Sequence, residues 1–588
     1  MILKTFLMNV VMLELVTVTV NAADFYVAPD GNDANPGTQA KPIATLYQAR
    51  DAARKAGEGH HRIVVVSGDY FLTRPLELDA RDNGLTIEAA EPGRATLYGG
   101  RLVDGWRRDG GQFWCVDLPE VKEGKWNFRA LIVNGRMPER ARMPESGTFL
   151  HRSRFDVKVL PATEGYWARQ PTLLERTTLE YDPKDIPPTF DIRNAEVRVY
   201  HMWDESIVGL ATNDLLLHTF TFSSPARWPP GAFGIKKYVI FNTREGMTKP
   251  GQWYLDRTAG KLVYWPLPDE DMTKVRVVAP LMEHIIHIVG TSKLPVRNVT
   301  LRGLTLQSTT TPLRPGKFGA MYFDGALDLE QAWQCVVEKL DISNVGGTGI
   351  HARSLVDCQI CDCQVHQIGA GGVSVAGSAT LVASNHIHHV GLYYPSAAGL
   401  YFSGKRGFRQ SDGRGLHIYR NEVNDAPYSG IIGAGTDNLI DENLVYRVMR
   451  EMQDGGGIYG NLINSTIRGN VVRDVVSFGE GYGVSAYYLD ERSADCVVER
   501  NRSVSVERPA KCHVARNINF RDNVFIADAS MSLSFPRSSG CTFVGNTLTA
   551  PGKISVDKPD AITAWSNNLV VRGAGGAPQP FSLPSTSR

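Results

Sequence analysis

Eight asparagines frame the C-terminal half of this 588-residue chain. Asn385, Asn421, Asn443, Asn470, Asn501, Asn523, Asn546 and Asn568 each open a short run of alternating apolar and polar residues, as in "SNHIHHVG", "ENLVYRVM", "GNVVRDVV" and "DNVFIADA". Four of the steps between them are 22 or 23 residues long, whereas those leaving Asn385, Asn443 and Asn470 are 36, 27 and 31. A unit this small cannot bury an apolar face by itself, so successive units must stack. Strands of about four residues between Gly and Asn turns suit the coils of a parallel β-helix. An Asn recurring at one turn can form a ladder, each amide bonding the coils above and below. A leucine-rich horseshoe would need a Leu spacing that is absent, and propeller blades would need about twice this period.

The series extends upstream in weaker form through "CDCQVHQIG" and "KLDISNVGG". At the other end, "DFYVAPDGND", "RIVVVSGDYFL" and "LTIEAAEPGRATLYGG" read as strands, and "TLYQARDAARKAG" as a short amphipathic helix. A helix there would cap the open end of the coils and cover its unpaired backbone groups. Between Trp106 and Val289 the period vanishes into Trp- and Pro-rich alternating strands, including "GQWYLDRTAGKLVYWPL". The expected layout is all-β. It comprises a signal peptide at 1–22, a cap with the first coils at 23–105, an inserted β-sandwich-like domain at 106–289, the main β-helix at 290–572 and a disordered tail at 573–588.

A net charge of +1 supplies no long-range field for nucleic acid or an anionic membrane, so neutral or mixed partners are favoured. Lys4 followed by "TFLMNVVMLELVTVTV" and the small residues ending at Ala22 read as an export signal, and no later run reaches the roughly 18 apolar residues of a membrane span. A monomer is expected. Export permits disulfides among the eight cysteines. The cluster Cys358, Cys361 and Cys363 lacks a fourth ligand and a paired knuckle, so Cys361 and Cys363 are expected to point from one strand into the core rather than to hold zinc.

The long steps place extra residues in outward loops on consecutive coils, which would wall a groove on one side of a rigid scaffold. Those loops carry "LYYPSAAGLYFSGKRGFRQSDGRG", "REMQDGGGIYGNL" and "SFGEGYGVSAYYLDERSADC". Tyr394, Tyr428, Tyr459 and Tyr488 offer flat apolar faces with a polar tip, suited to sugar rings, or to packing between the loops themselves. Asp454 and Asp490 on neighbouring coils are candidates for paired acid/base or nucleophile work on a glycosidic bond, with Glu480 and Glu491 as alternatives. Asp454 before three glycines also fits an ordinary turn; as a catalytic group it would gain from glycines that let a sugar approach the backbone. "GEGYGV" loosely matches a phosphate loop but has no helix behind it. His386, His388 and His389 cannot complete a metal site from one strand, so His388 is expected to face the groove as a hydrogen-bonding residue. No metal or other cofactor is expected.

The combination "FYVAPDGNDANPGT…KPIATLYQAR", "LIVNGRMPERARMP", "DAPYSGIIGAGTDN", "DGGGIY" and "YYLDE" resembles the right-handed β-helix glycosidases, most closely glycoside hydrolase family 141 and more distantly family 120. The resemblance spans nearly the whole mature chain. It implies hydrolysis of plant cell-wall glycans, with α-L-fucosidase and xylanase activities both represented, and Asp454 and Asp490 as the catalytic carboxylates. Adjacent coils stack about 4.8 Å apart, which favours a retaining mechanism unless the lateral offset between the two residues widens the gap. Two rival readings remain. One is a polysaccharide lyase using Lys405, Arg406 and Arg409, and the other a non-catalytic carbohydrate-binding β-helix.

Overall fold

A computed structural model describes residues 22–160, 164–403, 413–475, 481–573 and 576–583. Most of the stretch expected to be an export signal, Glu480, the basic triplet Lys405, Arg406 and Arg409, and much of the tail lie outside the described residues.

The chain is a parallel β-helix. Each coil lays one strand in each of three long parallel sheets, so that strand 381–383 is followed by 386–388 and then by 400–403. Strands of the first two sheets are mostly three residues long, and the middle residue points inward: Val382, Ile387, Val423 and Ile440 are fully buried. Period-2 alternation in so short a strand leaves one apolar residue per sheet per coil, and stacking joins these residues into one continuous core.

The repeated asparagines sit at the turn between the first and second sheets and form the expected ladder. Asn421 Nδ2 donates to Val382 O and to Asn443 Oδ1, and the Asn421 backbone N–H donates to the same oxygen at 2.9 Å. This pattern repeats from Asn385 to Asn546, each passing to the next. All are buried, so a complete set of partners is what makes these polar groups tolerable in a core. Cys363 heads the ladder, its N–H donating to Asn385 Oδ1 at 3.0 Å. Here the expectation for the cysteines is corrected. Cys361 ends one strand, half-exposed, and Asp362 turns the chain with φ 56° before Cys363 enters the core; Cys358 is buried as well. The two do not share a strand.

A helix at Leu46–Lys55, capped by the Thr45 side chain, packs Leu46, Ala49 and Ala53 onto the first coils. The chain leaves the β-helix after Tyr98 and returns at Ile286, where strand Ile286–Val289 pairs with Leu76–Leu78. The return falls inside the stretch assigned from sequence to the insert, because "IHIV" carries no Asn turn to mark it. The insert is built from three antiparallel sheets. Two small ones share a core around Trp253, Leu255 and Val133, and the larger one has its own around Val197, Phe220 and Tyr238.

Candidate active site

The described extra residues of the long steps that carry Asp454 and Asp490 fall between the second-sheet strand and the third-sheet strand, at 447–454, 474–475 and 481–483. They therefore gather beside the outer face of the third sheet. On that face one register row runs through Tyr459, Tyr488, Lys511 and Ser534, each directly paired with the next. Asp454 immediately precedes strand Gly455–Ile463, and Asp490 immediately follows strand Val484–Leu489.

Despite that offset, Tyr488 joins the two acids. Its hydroxyl lies 3.3 Å from Asp454 Oδ1 and 3.1 Å from Asp490 Oδ1. Asp490 also accepts from the Tyr459 hydroxyl at 2.6 Å and pairs with His513 Nδ1 at 2.8 Å. Asp454 faces Lys511 Nζ at 3.5 Å, and the same ammonium sits 4.0 Å from the centre of the Tyr488 ring. Tyr428 holds the turn by donating to Asp454 O at 2.8 Å.

These surroundings push the two carboxylates in opposite directions. Burial raises the pKa of Asp454 above the ordinary carboxylate value, and the Asp490 charge adds to it, against the pull of Lys511. Asp490 is also largely desolvated, yet its hydrogen bonds from His513 and Tyr459, with the attraction of His513, outweigh this and hold it below the ordinary value. Burial lowers the Lys511 pKa, opposed by both aspartates.

Both acids open onto a cavity of about 890 Å³, within the range of small-ligand sites. Tyr459, Tyr488, Tyr482 and Phe318 line it from the coils, and Arg508, Lys511, His513 and Arg537 make one side basic. The insert supplies the opposite wall, through Tyr166, Trp203 and Arg227. Trp203 is carried on the turn between strands Glu196–Tyr200 and Glu205–Asp214. That turn docks on the acid-bearing loop, with Gln453 N donating to Met202 O at 3.0 Å.

The glycines after Asp454 serve the coil, not a ligand. A Cβ at Gly455 would lie 2.5 Å from Ser429 Oγ, at Gly456 2.6 Å from Ser485 O, and at Gly457 2.4 Å from Val472 Cγ1. None lines the cavity. Asp454 itself is a turn residue, with φ 59°, whose side chain reaches the cavity.

Among the other residues singled out from sequence, Glu491 lines the cavity. Tyr394 does not: it is buried against Phe323 with its hydroxyl on Pro312 O at 2.6 Å. His388 belongs to the second sheet, round the corner from the site, where it stacks on His366 with ring centres 5.1 Å apart. Lys511 and His513 were missed, although a signal was present: both follow their partners Tyr488 and Asp490 by 23 residues, one short coil. Trp203 gave no such signal, because an insert's docking is not written in a repeat.

Among the described residues one group has metal-compatible geometry, Asp324, Asp328 and His351, with ligand atoms within 4.8 Å of one another. It lies several coils upstream and outside the cavity, and Asp328 already bonds His351 at 3.0 Å and Arg353 at 3.1 Å.

Comparison with known proteins agrees with this architecture. A family model for the right-handed β-helix region matches residues 325–501. A solved structure described as "Glycoside hydrolase" aligns over 93% of this chain and 96% of its own, with TM-score 0.68 and 19% identity. The complex of XylC with xylose aligns over 91% and 86%, with TM-score 0.50 and 12% identity. No curated protein sequence matches. At these identities the likeness establishes the shared fold.

Proposed function

We propose that the protein is an exported glycoside hydrolase acting on plant-type glycans, with α-L-fucosides or xylosides as the leading substrates. The observation that carries the reading is the Asp454–Tyr488–Asp490 bridge in an aromatic-lined cavity. Two carboxylates whose environments drive their pKa values apart divide naturally into an acid and an ionised partner. Asp454, raised by burial, keeps its proton and delivers it to the leaving oxygen. Asp490, held ionised, attacks the anomeric carbon.

The Tyr488 proton can serve only one acceptor at a time. While Asp454 is protonated it goes to Asp490; once Asp454 has given up its proton, Lys511 at 3.5 Å stabilises the carboxylate left behind. A water then attacks the anomeric carbon while Asp454 takes its proton, and the glycosyl–Asp490 bond breaks to free the sugar and the Asp490 carboxylate. A single hydroxyl touching both facing oxygens keeps the two carboxylates close together across adjacent coils, the arrangement a retaining mechanism needs. This supports retention. The description "Glycoside hydrolase" of one structural neighbour is consistent with a hydrolase.

One observation favours a second reading. Lys511, Arg508 and Arg537 in the cavity are the kind of groups that neutralise a uronate carboxylate before β-elimination, with Tyr488 or His513 moving the proton. Assays on aryl fucosides, xylosides, arabinosides and galactosides, beside pectic and xylan oligosaccharides, separate the two. Saturated products, or release of the aryl group from an aryl glycoside, support the hydrolase, whereas ultraviolet-absorbing unsaturated products from uronate chains support the lyase.

A further inference from the structure

A second cavity, of about 520 Å³, lies where the insert meets the β-helix. Five cations line it (Arg140, Arg142, Arg198, Lys237 and Arg450) against two acids, Glu139 and Glu451. Glu139 is paired with Lys249 at 2.7 Å and lies 3.9 Å from Arg142, Arg450 reaches Asp425 at 3.4 Å, and Glu451 accepts from Tyr200 at 3.0 Å, which leaves Arg140 and Arg198 as the buried cations of the wall.

The positive charge continues behind the wall. Glu196, fully buried, faces three guanidiniums, Arg129 at 3.1 Å and Arg140 and Arg257 at 2.9 Å. One carboxylate cannot balance three cations. The nearby Glu205 does not help, because burial pushes its pKa up to about 8 and keeps it neutral.

Arg140 is only 6% exposed and commits a single nitrogen, Nη2, to Glu196; its Nε has no partner. Arg198 is equally buried, bonds Tyr200 and the Tyr393 carbonyl, and also leaves Nε without a partner. The Tyr393 hydroxyl is likewise unpartnered. These three atoms are closed to solvent, so what the cavity offers a ligand is the remaining surface of the Arg140 and Arg198 guanidiniums that line it. The cavity is larger than a bare ion requires, and Tyr200, Phe241 and Tyr393 offer ring faces beside the cations.

We infer that this cavity binds a saccharide bearing an oxyanion, a uronate carboxylate or a sulfate ester, with the charged group at Arg140 and the sugar against the aromatic side. This site is separate from the cavity at Asp454 and does not depend on the hydrolase reading. The same two segments border both: Tyr200 and Glu451 face this one, Trp203 and Asp454 the other.

Calorimetric titration of the full chain tests the site, using galacturonate and glucuronate against galactose, glucose and inorganic sulfate. The uronates are expected to bind at least about tenfold more tightly than their neutral counterparts and than sulfate alone. Arg140→Gln should weaken uronate binding about tenfold, and Arg450→Gln on the exposed rim about threefold, so the rim variant decides if the deeper one fails to fold. Lys511→Gln, which alters only the first cavity, should leave the affinity unchanged. Equal binding of charged and neutral sugars, sulfate binding as tightly as uronate, or a loss confined to Lys511→Gln would each overturn the assignment.

Discussion

His513 Nδ1 lies 2.8 Å from Asp490 Oδ1, while the other nitrogen of the same ring meets Arg537 at 2.6 Å. A guanidinium can only donate, so Nε2 accepts and Nδ1 carries the proton toward the carboxylate. The imidazole thereby acts as a fixed donor one coil away from the acid it orients.

Removing that donor should be visible in the pH profile. Asp490 is held below the ordinary carboxylate value, and His513→Ala takes away the hydrogen bond that does most to hold it there, so its pKa rises. The acidic limb of kcat/KM should then move to higher pH. Lys511→Met should move the other limb. Lys511 lowers the Asp454 pKa, so its loss lets Asp454 keep its proton longer and carries the alkaline limb upward. Profiles on one aryl glycoside check both signs, and a limb moving downward would contradict the assignment of acid and nucleophile.

Asp454→Asn and Asp490→Asn should each reduce kcat by about 10²–10⁴-fold or more, with melting curves close to that of the parent. Proton NMR of the first-formed product in deuterated water should show the anomeric configuration of the substrate. Near-normal turnover in Asp454→Asn would reduce that residue to its turn.

Activity should persist after EDTA and dialysis. The metal-compatible group Asp324, Asp328 and His351 lies outside the cavity, and the cavity's two aspartates are already engaged by Tyr, His and Lys. Loss of turnover restored by added calcium would favour the lyase reading.

Asn470→Ala should destabilise the β-helix by more than an average core truncation. It strips both the backbone N–H and Nδ2 of Asn443 of a shared acceptor and leaves Ile440 O without its donor. Each buried group left unpaired costs about 1–3 kcal/mol. Denaturant melts of Asn470→Ala beside Val472→Ala, on the same coil, measure the difference.

Glu205 makes stability fall with pH. Its folded pKa of about 8 stands above its unfolded value, so the native state binds the extra proton. That stability is complete below about pH 4.5 and is lost as pH rises toward 8. The melting temperature of the parent should decline relative to Glu205→Gln over this window. Parallel curves would mean that Glu205 is ionised in the native state.

The Asn spacing was enough to specify the coils, the ladder and the sheets, because a stacked repeat writes its geometry locally. The long steps likewise located the acid-bearing loops. What spacing could not convey was which sheet each residue would face. His388 sits near the groove in sequence but on another side of the coil, and Tyr394 folds inward against Phe323. The glycine triplet suggested room for a ligand, whereas it answers crowding between coils at Ser429, Ser485 and Val472. Trp203 and the basic cavity arise from docking of the insert, a long-range event with no periodic signature.

The point at which the chain departs after Tyr98 and returns at Ile286 sets an order of events during synthesis. Leu76–Leu78, Thr86–Ala89 and Ala95–Tyr98 all find their next neighbours only beyond the insert, in Ile286–Val289, Thr300–Arg302 and Thr305–Thr309. At about 5–20 residues per second the ribosome needs on the order of ten seconds or more to deliver those partners. Through that interval the capped coils present three raw edges at once, each able to accept a strand from another chain. The nascent protein is therefore most exposed to mispairing in the middle of its translation, and a chain halted within the insert should aggregate where the completed one does not.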